Sequence, residues 1–454
     1  MIGWTRRSLL DMRFRYRWKV IAISVICAGT MIAVFDHWRE SAHTFAASSP
    51  ATNPQSAEQA RSAYDFVNSI GVNTHLNYFD REYGNFSFVK NELQMSGIRH
   101  LRDGVHFQDP GYNRLMYGRW AELGALGIRF DAVVDPRSGL GPMRPEILEE
   151  ADKLSNHSIE AFEGPNEMDI SGQSDWTSTD RDYIKALFRS ARALGGGNRF
   201  QIIGPSLAFA KRGSELGNLA DSIDAGNLHP YPAGKMPSHV FPEQTDFAKN
   251  VSGAKSIVVT ESGYHNALND HTDQPAVSEL ASSKYIPRLF LENFSRGIQR
   301  TYLYELLDET ADPGLTNNQL HWGLIRADRS EKPAFIAVKR LIEELNDTAA
   351  PARLHSLAWS LESKDSRIHH VLLEKSSGEF DLVLWQETPS YDTFWQKDIS
   401  NSPIATTLTL VSPGRRVVLY EPSVQGEPLK EWKDTAKIPL AIPDHPLVIN
   451  IVTR

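Results

Sequence analysis

"IEAFEGPNE", residues 159–167, is a short apolar run that meets Gly-Pro and then sets Asn166 and Glu167 side by side. Pro-Asn is ordinary turn chemistry, and a glutamate in a loop is usually only solvated. The neighbouring segments give the stretch another meaning. Seven others share its form, an apolar run leading into polar residues: "GVNTHLNY" (71–78), "IRHLRDG" (98–104), "IRFDAVVDP" (128–136), "FQIIGPS" (200–206), "AGNLHPY" (225–231), "SIVVTESGY" (256–264) and "RTYLYELLDE" (300–309). Amphipathic stretches lie between them at 86–97, 117–127, 181–197 and 283–297, several ending in glycine as helices tend to, and 332–346 closes the series. Alternating strand and helix signals of this kind predict βα units around a parallel sheet.

Eight such units between 63 and 347 fit an α/β fold of the (β/α)₈ barrel type. A doubly wound open sheet would need a glycine-rich phosphate loop after its first strand, and none is present. From 348 to 454 the pattern changes to period two. "SRIHHVLLEK", "EFDLVLWQE", "ATTLTLVS", "RRVVLYEP" and "PLVINIVTR" alternate apolar and polar residues between turn signals, which predicts an antiparallel β-sandwich.

The first 62 residues read differently. Residues 1–19 carry six Lys or Arg against one Asp, and residues 20–36 open with 16 residues without a charge. A basic segment before an apolar one predicts a signal anchor or signal peptide, with the basic end in the cytoplasm and the rest in the periplasm or outside the cell. Residues 37–62, rich in Ser, Ala and Pro, read as a flexible linker. The single cysteine, Cys27, falls in the apolar run, so the remainder of the chain contains no thiol for disulfides, thiolate zinc sites or thiol catalysis. A net charge of -8 without a long basic face disfavours nucleic acid as a partner.

In a (β/α)₈ barrel the C-terminal ends of the strands converge on one mouth, where chemistry sits. The polar residues there are His75 and Asn77, Arg102 and Asp103, Asp135, Asn166 and Glu167, His229 and Tyr231, Glu261, and Glu305 with Asp308. His75, His106 and Asp135 lack the tight spacing of metal ligands and read as structural, so neither metal nor cofactor is expected. Glu163 reads as barrel-interior polarity. Two glutamates, from the fourth and seventh strands, would face each other. A retaining glycosidase needs one carboxylic acid to protonate the leaving oxygen and one carboxylate to attack the anomeric carbon, and spacing in sequence alone does not distinguish this from the inverting arrangement.

"GPNE" after the fourth strand and "TES" at the seventh resemble the large clan of retaining (β/α)₈ glycoside hydrolases, nearest to bacterial cellulase-like or family-39-like proteins. "HLRDG", "HPY" and "HWGLIRADRSEKPAFIA" fit the same frame, over roughly residues 70–454. The resemblance implies that Glu167 is the acid/base and Glu261 the nucleophile. It further implies that Asn166 donates to the sugar 2-hydroxyl, Arg102 keeps Glu261 ionised, Tyr231 hydrogen-bonds Glu261, and His229 orients Glu167. The clan usually offers a tryptophan at the end of the eighth strand as a sugar platform, where this chain has Tyr304 and Glu305. Trp176, Tyr264, His265, Glu305, Asp308 and Trp322 are the further candidates for binding sugar. The expected activity is retaining hydrolysis of an oligo- or polysaccharide by a protein held at the inner membrane. A transglycosylase and a catalytically silent glycan-binding barrel of an exopolysaccharide system are the alternatives.

Overall fold

The computed structural model describes residues 57–453, apart from 195–196, 241–242 and 273. Eight strands form a closed parallel barrel: β1 (Ile70–Asn73), β2 (His100–Gly104), β3 (Arg129–Val133), β4 (Ile159–Glu163), β5 (Gln201–Ile203), β6 (Ala225–Leu228), β7 (Ser256–Ser262) and β8 (Arg300–Leu303). Each expected strand is present but shorter than its apolar-to-polar run. In β4 the pairing stops because Pro165 has no N–H to offer the ladder, so Asn166 and Glu167 lie on a loop rather than a strand. Gly164 just before it allows two loops to meet, since a Cβ there would lie 2.9 Å from the Pro205 nitrogen.

Helices α1 (Phe86–Ser96), α2 (Pro110–Gly124), α3 (Pro145–Leu154), α4 (Trp176–Ala193), α5 (Glu243–Ser252), α6 (Glu279–Ser295) and α7 (Pro333–Leu345) surround the barrel. Helix α2 shows how the sequence builds one. Asp109 accepts from the N–H groups of Gly111 and Tyr112, Pro110 opens the first turn, and Met116, Tyr117, Trp120 and Leu123 recur at the spacing of one buried face. Trp120 stacks on Phe130 of β3 at 4.3 Å, a contact that adds about 0.5–1.5 kcal/mol beyond area burial. Helices α3 and α5 were absent from the sequence reading, and after β5 only single turns occur before β6.

The barrel interior is layered. Ala161, Ile203, Ala225, Val258 and Tyr302 form an apolar plug, and Tyr302 requires Gly71 opposite it, because a Cβ there would sit 2.4 Å from the ring. On the mouth side of that plug, Asn73, Arg102, Asp131, Glu163, Asn227 and Thr260 fill the bore with polar groups. Glu163 is therefore interior polarity, as its sequence context suggested.

The C-terminal region contains β9 (Trp359–Leu361), β10 (Ile368–Glu374), β11 (Phe380–Gln386), β12 (Ile404–Tyr420), β13 (Lys430–Ile442) and β14 (Leu447–Val452), with its own apolar core. The two expected strands on either side of Pro413-Gly414 are one long strand, β12, whose pairing with β13 shifts register between Thr409 and Gly414. One edge of β12 pairs with β9 near its start and with β14 near its end, so the two halves of the sandwich are joined as one hydrogen-bonded sheet. The linker expected over 37–62 is corrected at its end. Glu58–Gln59 pair with Ser356–Leu357, and Arg61–Ser62 pair in parallel with β10, because β10 presents a free edge there. The basic segment, the apolar segment and most of the linker lie outside the described residues. Among the described residues no helix is long and apolar enough to cross a membrane.

Helix α6 joins the barrel to the sandwich. The fully buried Arg288 donates to Glu387 Oε2 (3.0 Å), Ser390 Oγ (3.3 Å) and the carbonyls of Thr388 (2.9 Å) and Asp444 (3.0 Å). Removing one partner of a buried pair strands the other charge. Arg288→Ala is expected to lower the unfolding free energy by about 3–5 kcal/mol, read by urea denaturation, while Lys249→Ala on the exposed face of α5 leaves it unchanged.

Candidate active site

The mouth of the barrel opens into a cleft of about 630 Å³ whose walls include Glu167, Glu261, Tyr304 and Trp322. Its organising group is Arg102, on β2 and almost fully buried. Its Nε and Nη2 bind the two oxygens of Glu163 at 2.6 and 2.8 Å; Nη1 donates to Asn73 Oδ1 (2.9 Å) and Glu261 Oε1 (2.6 Å), and Nη2 also to Asn166 Oδ1 (2.8 Å). All five guanidinium donors are thereby used.

Glu261 stands at the end of β7, where the apolar strand leaves the core. Besides Arg102 it accepts from Tyr231 Oη at 2.8 Å. Burial opposes its charge, but His229, Arg102 and the Tyr231 hydroxyl outweigh burial and hold the carboxyl below its ordinary range. Glu167 sits on the loop after β4 in the left-handed region, φ 48°, a conformation uncommon for a side chain of this size. The loop is tied down: Glu167 N–H donates to Ser206 O (3.1 Å) and Ser206 Oγ (3.2 Å), and Asn166 N–H to Asp135 Oδ2 (3.0 Å).

His229 bridges the two glutamates. Its Nδ1 lies 2.8 Å from Glu167 Oε1 and 3.7 Å from Glu261 Oε2, and its Nε2 is 2.9 Å from Thr260 Oγ1. Burial works against protonation of this imidazole, but the carboxylates of Glu261 and Glu167 raise its pKa above the usual histidine value. Glu167, His229 and Glu261 each offer an atom within 4.8 Å of the others, close enough in principle to hold a cation. A second such group, His75, Glu305 and Glu309, lies near Tyr304, with Arg81 bonded to Glu309.

Asn166 has a defined orientation. Because Arg102 and Ser206 Oγ (3.0 Å) both donate to its Oδ1, its amide nitrogen is the end left to donate to a ligand.

Of the expected site residues, Arg102, Asn166, Glu167, Tyr231, Glu261 and Trp322 line one cleft, and His229 stands directly behind its two glutamates. Five others do not line it. Trp176 is buried at the start of α4 with the Arg212 guanidinium 4.6 Å above its ring. Tyr264 packs on Tyr285 and donates to Lys235 O at 2.8 Å. His265 is buried behind Trp322, 4.9 Å between ring centres, and is bonded to Gln274 O. Glu305 points away from the mouth toward Tyr83 and His75, and Asp308 is held by Lys332 Nζ at 2.9 Å. In each case a neighbour on a distant segment fixes the side chain, which periodicity does not reveal. Sequence reasoning missed Tyr78, Phe209, Gln274 and Gln319 in the cleft wall. Tyr78 and Phe209 stand on loops soon after β1 and β5, whereas Gln274 and Gln319 lie well along the segments after β7 and β8, Gln319 in a 3₁₀ turn, where no strand-end signal reaches.

No known family profile matches the sequence, and no curated protein matches it. Solved structures do. A family 39 glycoside hydrolase from the gut symbiont Bacteroides cellulosilyticus WH2 superposes with TM-score 0.53 at 14% identity, over 86% of this chain and 83% of that one. A monomeric beta-xylosidase from Caulobacter crescentus CB15 gives TM-score 0.57 at 13% identity, over 87% and 98%. The GH39 enzyme from Xanthomonas axonopodis pv. citri gives 0.55 at 14%, over 89% and 98%. The fold is that of the family 39 glycoside hydrolases. The coverage includes both the barrel and the sandwich, as the sequence resemblance implied.

Beneath the site, Asp131 is fully buried beside Glu163. Burial, reinforced by the nearby Glu163 charge, pushes its carboxyl well above the ordinary range despite Arg102. An acid whose folded pKa is raised costs stability as pH climbs past its unfolded value of about 3.9. Asp131→Asn is therefore expected to match the parent near pH 4 and to exceed it increasingly at higher pH, by up to about 1.4 kcal/mol per pH unit over the affected range. Urea unfolding at pH 4, 6 and 8 reads the difference.

Proposed function

We propose that this protein cleaves glycosidic bonds by double displacement, with Glu261 as nucleophile and Glu167 as acid and then base. The observation that carries this reading is the spacing of the two carboxyls, whose facing oxygens approach within 4.8 Å in one cleft. An oxygen approach this close is compatible with the carboxyl separation of about 5–5.5 Å that retaining glycosidases use, and inverting enzymes space theirs about 6.5–9.5 Å apart to admit water. In the first step Glu261 Oε attacks the anomeric carbon while Glu167 gives its proton to the departing oxygen. A glycosyl ester on Glu261 and the free leaving-group alcohol result. In the second step Glu167 takes a proton from water, the water oxygen bonds to the anomeric carbon, and Glu261 departs as carboxylate. Arg102 and Tyr231 stabilise that departing charge, and the Asn166 amide is placed to donate to the sugar 2-hydroxyl. A barrel that only bound glycans would have no use for an ionised glutamate facing a second one.

Transfer to a sugar acceptor is the second reading, favoured by Ile170 and Phe209. Both line the cleft, are about half exposed, and stand on loops adjoining Glu167, where an acceptor ring would displace water. The charged and apolar segments at 1–36 support placement of the barrel outside the cytoplasm, anchored to the inner membrane. Fractionation of cells with the full chain, followed by protease accessibility of intact spheroplasts, tests that placement.

Glu261→Ala is expected to abolish turnover of aryl glycosides. Added azide should restore it and yield a glycosyl azide of inverted configuration, identified by NMR. Recovery without azide, or a retained product, overturns the assignment. Tyr231→Phe removes a donor that holds Glu261 ionised, so the acidic limb of the pH profile of kcat/KM moves to higher pH. Losing a hydrogen bond to a charged group, about 1.5–3 kcal/mol, predicts roughly a 10- to 100-fold fall in kcat/KM.

A further inference from the structure

Between β11 and β12 the chain makes a small hairpin, Tyr391–Asp392 paired with Lys397–Asp398. Its tip presents Phe394 and Trp395 to solvent, 80% and 67% exposed, the two most exposed large apolar side chains among the described residues. The rings meet edge to face at 4.8 Å. Each such ring carries about 150–250 Å² of surface whose burial would be favourable at about 25 cal/mol per Å². Single exposed apolar residues need no explanation, but two adjacent aromatic rings held in water on a rigid support do.

The support is rigid for identifiable reasons. Asp392 Oδ1 accepts from the N–H groups of both Phe394 and Trp395 at 3.0 Å, which fixes the turn. Gln396, at φ 50°, donates through its side chain to Leu268 O at 2.9 Å, and Ser278 is bonded to Asp398. Tyr391 is buried, and its N–H donates to Tyr285 Oη at 3.1 Å. Thr393 presses on Gly234 so closely that a Cβ there would lie 2.6 Å from its methyl group.

These anchors define the location. Gly234 follows Tyr231 on the loop after β6. Leu268 and Ser278 belong to the loop after β7, which also sends Gln274 into the cleft wall. The aromatic tip is thus mounted on the two loops that carry one side of the active site. The hairpin itself carries Asp392, Lys397 and Asp398, one more acid than base, which disfavours anionic lipid or an anionic polymer as occupant.

We propose that Phe394 and Trp395 form a second carbohydrate site, on the sandwich domain, that stacks against the apolar faces of sugars in an uncharged polysaccharide running out of the cleft. The proposal rests on the glycosidase reading for its choice of a polymer, though its site lies outside the catalytic cleft. Stacking of this kind is sequence-tolerant and contributes without ordering flexible side chains, since both rings are already placed. It makes the protein one that acts on long chains, with the tip adding affinity for polymer and nothing for a small glycoside.

The test compares the full chain with its Phe394→Ala/Trp395→Ala variant on a glycan array spanning neutral, amino and uronic polysaccharides, and in turnover of aryl glycosides and of each neutral polymer on the array. Retention of neutral polymers should be lost in the variant and KM for a hydrolysed polymer should rise about tenfold, while aryl-glycoside kcat/KM stays within twofold. Equal retention and equal KM overturn the proposal. So does a variant that keeps glycan binding but loses binding to phosphatidylglycerol vesicles, or that loses a dimer seen by light scattering, because the tip then serves lipid or a second copy. Tip-dependent retention by a chain that turns over no substrate leaves this site standing and removes the catalytic reading; turnover of aryl glycosides with tip-independent retention does the reverse.

Discussion

A single guanidinium, that of Arg102, is the constraint through which the rest of the mouth is arranged. Burying it takes a fixed charge out of water, a penalty recovered only when every donor finds an acceptor in good geometry. Here Glu163 supplies a two-point partner from β4, Asn73 a third contact from β1, and Glu261 and Asn166 the remaining two. Burial would weaken its protonation, but the Glu163 and Glu261 carboxylates outweigh burial and raise its pKa well above the free value. The cation is permanent, and its partners inherit fixed positions. That permanence orients the Asn166 amide, since a group with no lone pair to offer can only face the carbonyl end.

The same arrangement gives two chemically identical side chains different surroundings. Glu261 has two donors within 2.8 Å and a positively biased imidazole nearby. Among the described residues the Glu167 carboxyl hydrogen-bonds to that imidazole alone, and it is partly open to the cleft. On the reading proposed above, such unlike surroundings suit the two carboxyls to separate roles. His229 links the pair, and its far nitrogen rests on Thr260, whose hydroxyl also contacts Asn227 at 2.7 Å in the polar layer. A run of hydrogen bonds thus leads from the mouth into the bore, where Thr260 Oγ1 also donates to Glu163 Oε1 at 3.2 Å.

What was legible in the sequence follows the physics of each signal. A closed parallel barrel buries both faces of every strand, so its runs are short, apolar and bounded, and all eight stood out. The residues just beyond them converge by geometry alone, which is why Arg102, Asn166, Glu167, His229, Tyr231 and Glu261 came together as expected. Trp176, Tyr264 and His265 looked equally suitable by type and position. Their side chains instead turn to Arg212, Lys235 and Gln274, partners 9 to 36 positions away in a chain whose pairing is long-range. Helix α3 carries a single narrow apolar stripe of Ile147, Leu148 and Ala151, and α5 hides behind polar residues, so neither announced itself. The merging of two short strands into β12 reflects a bulge that tolerates Pro413 where a flat ladder would not.

The eighth strand shows how a missing residue type is made good by a different element. Tyr304 occupies the strand end, and Trp322, from the segment leading to α7, stands against it at 6.1 Å and against Tyr231 at 5.0 Å. Tyr304 Oη lies 3.3 Å from His75 Nε2, and His75 stacks on Tyr78 at 4.8 Å. Burial lowers the pKa of His75 to about 4, so it is neutral at physiological pH. Behind it, burial and the Asp308 charge raise Glu305 well above the carboxylate range. This wall of the cleft is consequently aromatic, backed by a histidine and a glutamate whose charged forms burial disfavours. The lasting charge of the site is held by Arg102 and Glu261, whose 2.6 Å contact favours the charged form of each, and on the reading proposed above that is where bond-making would need it.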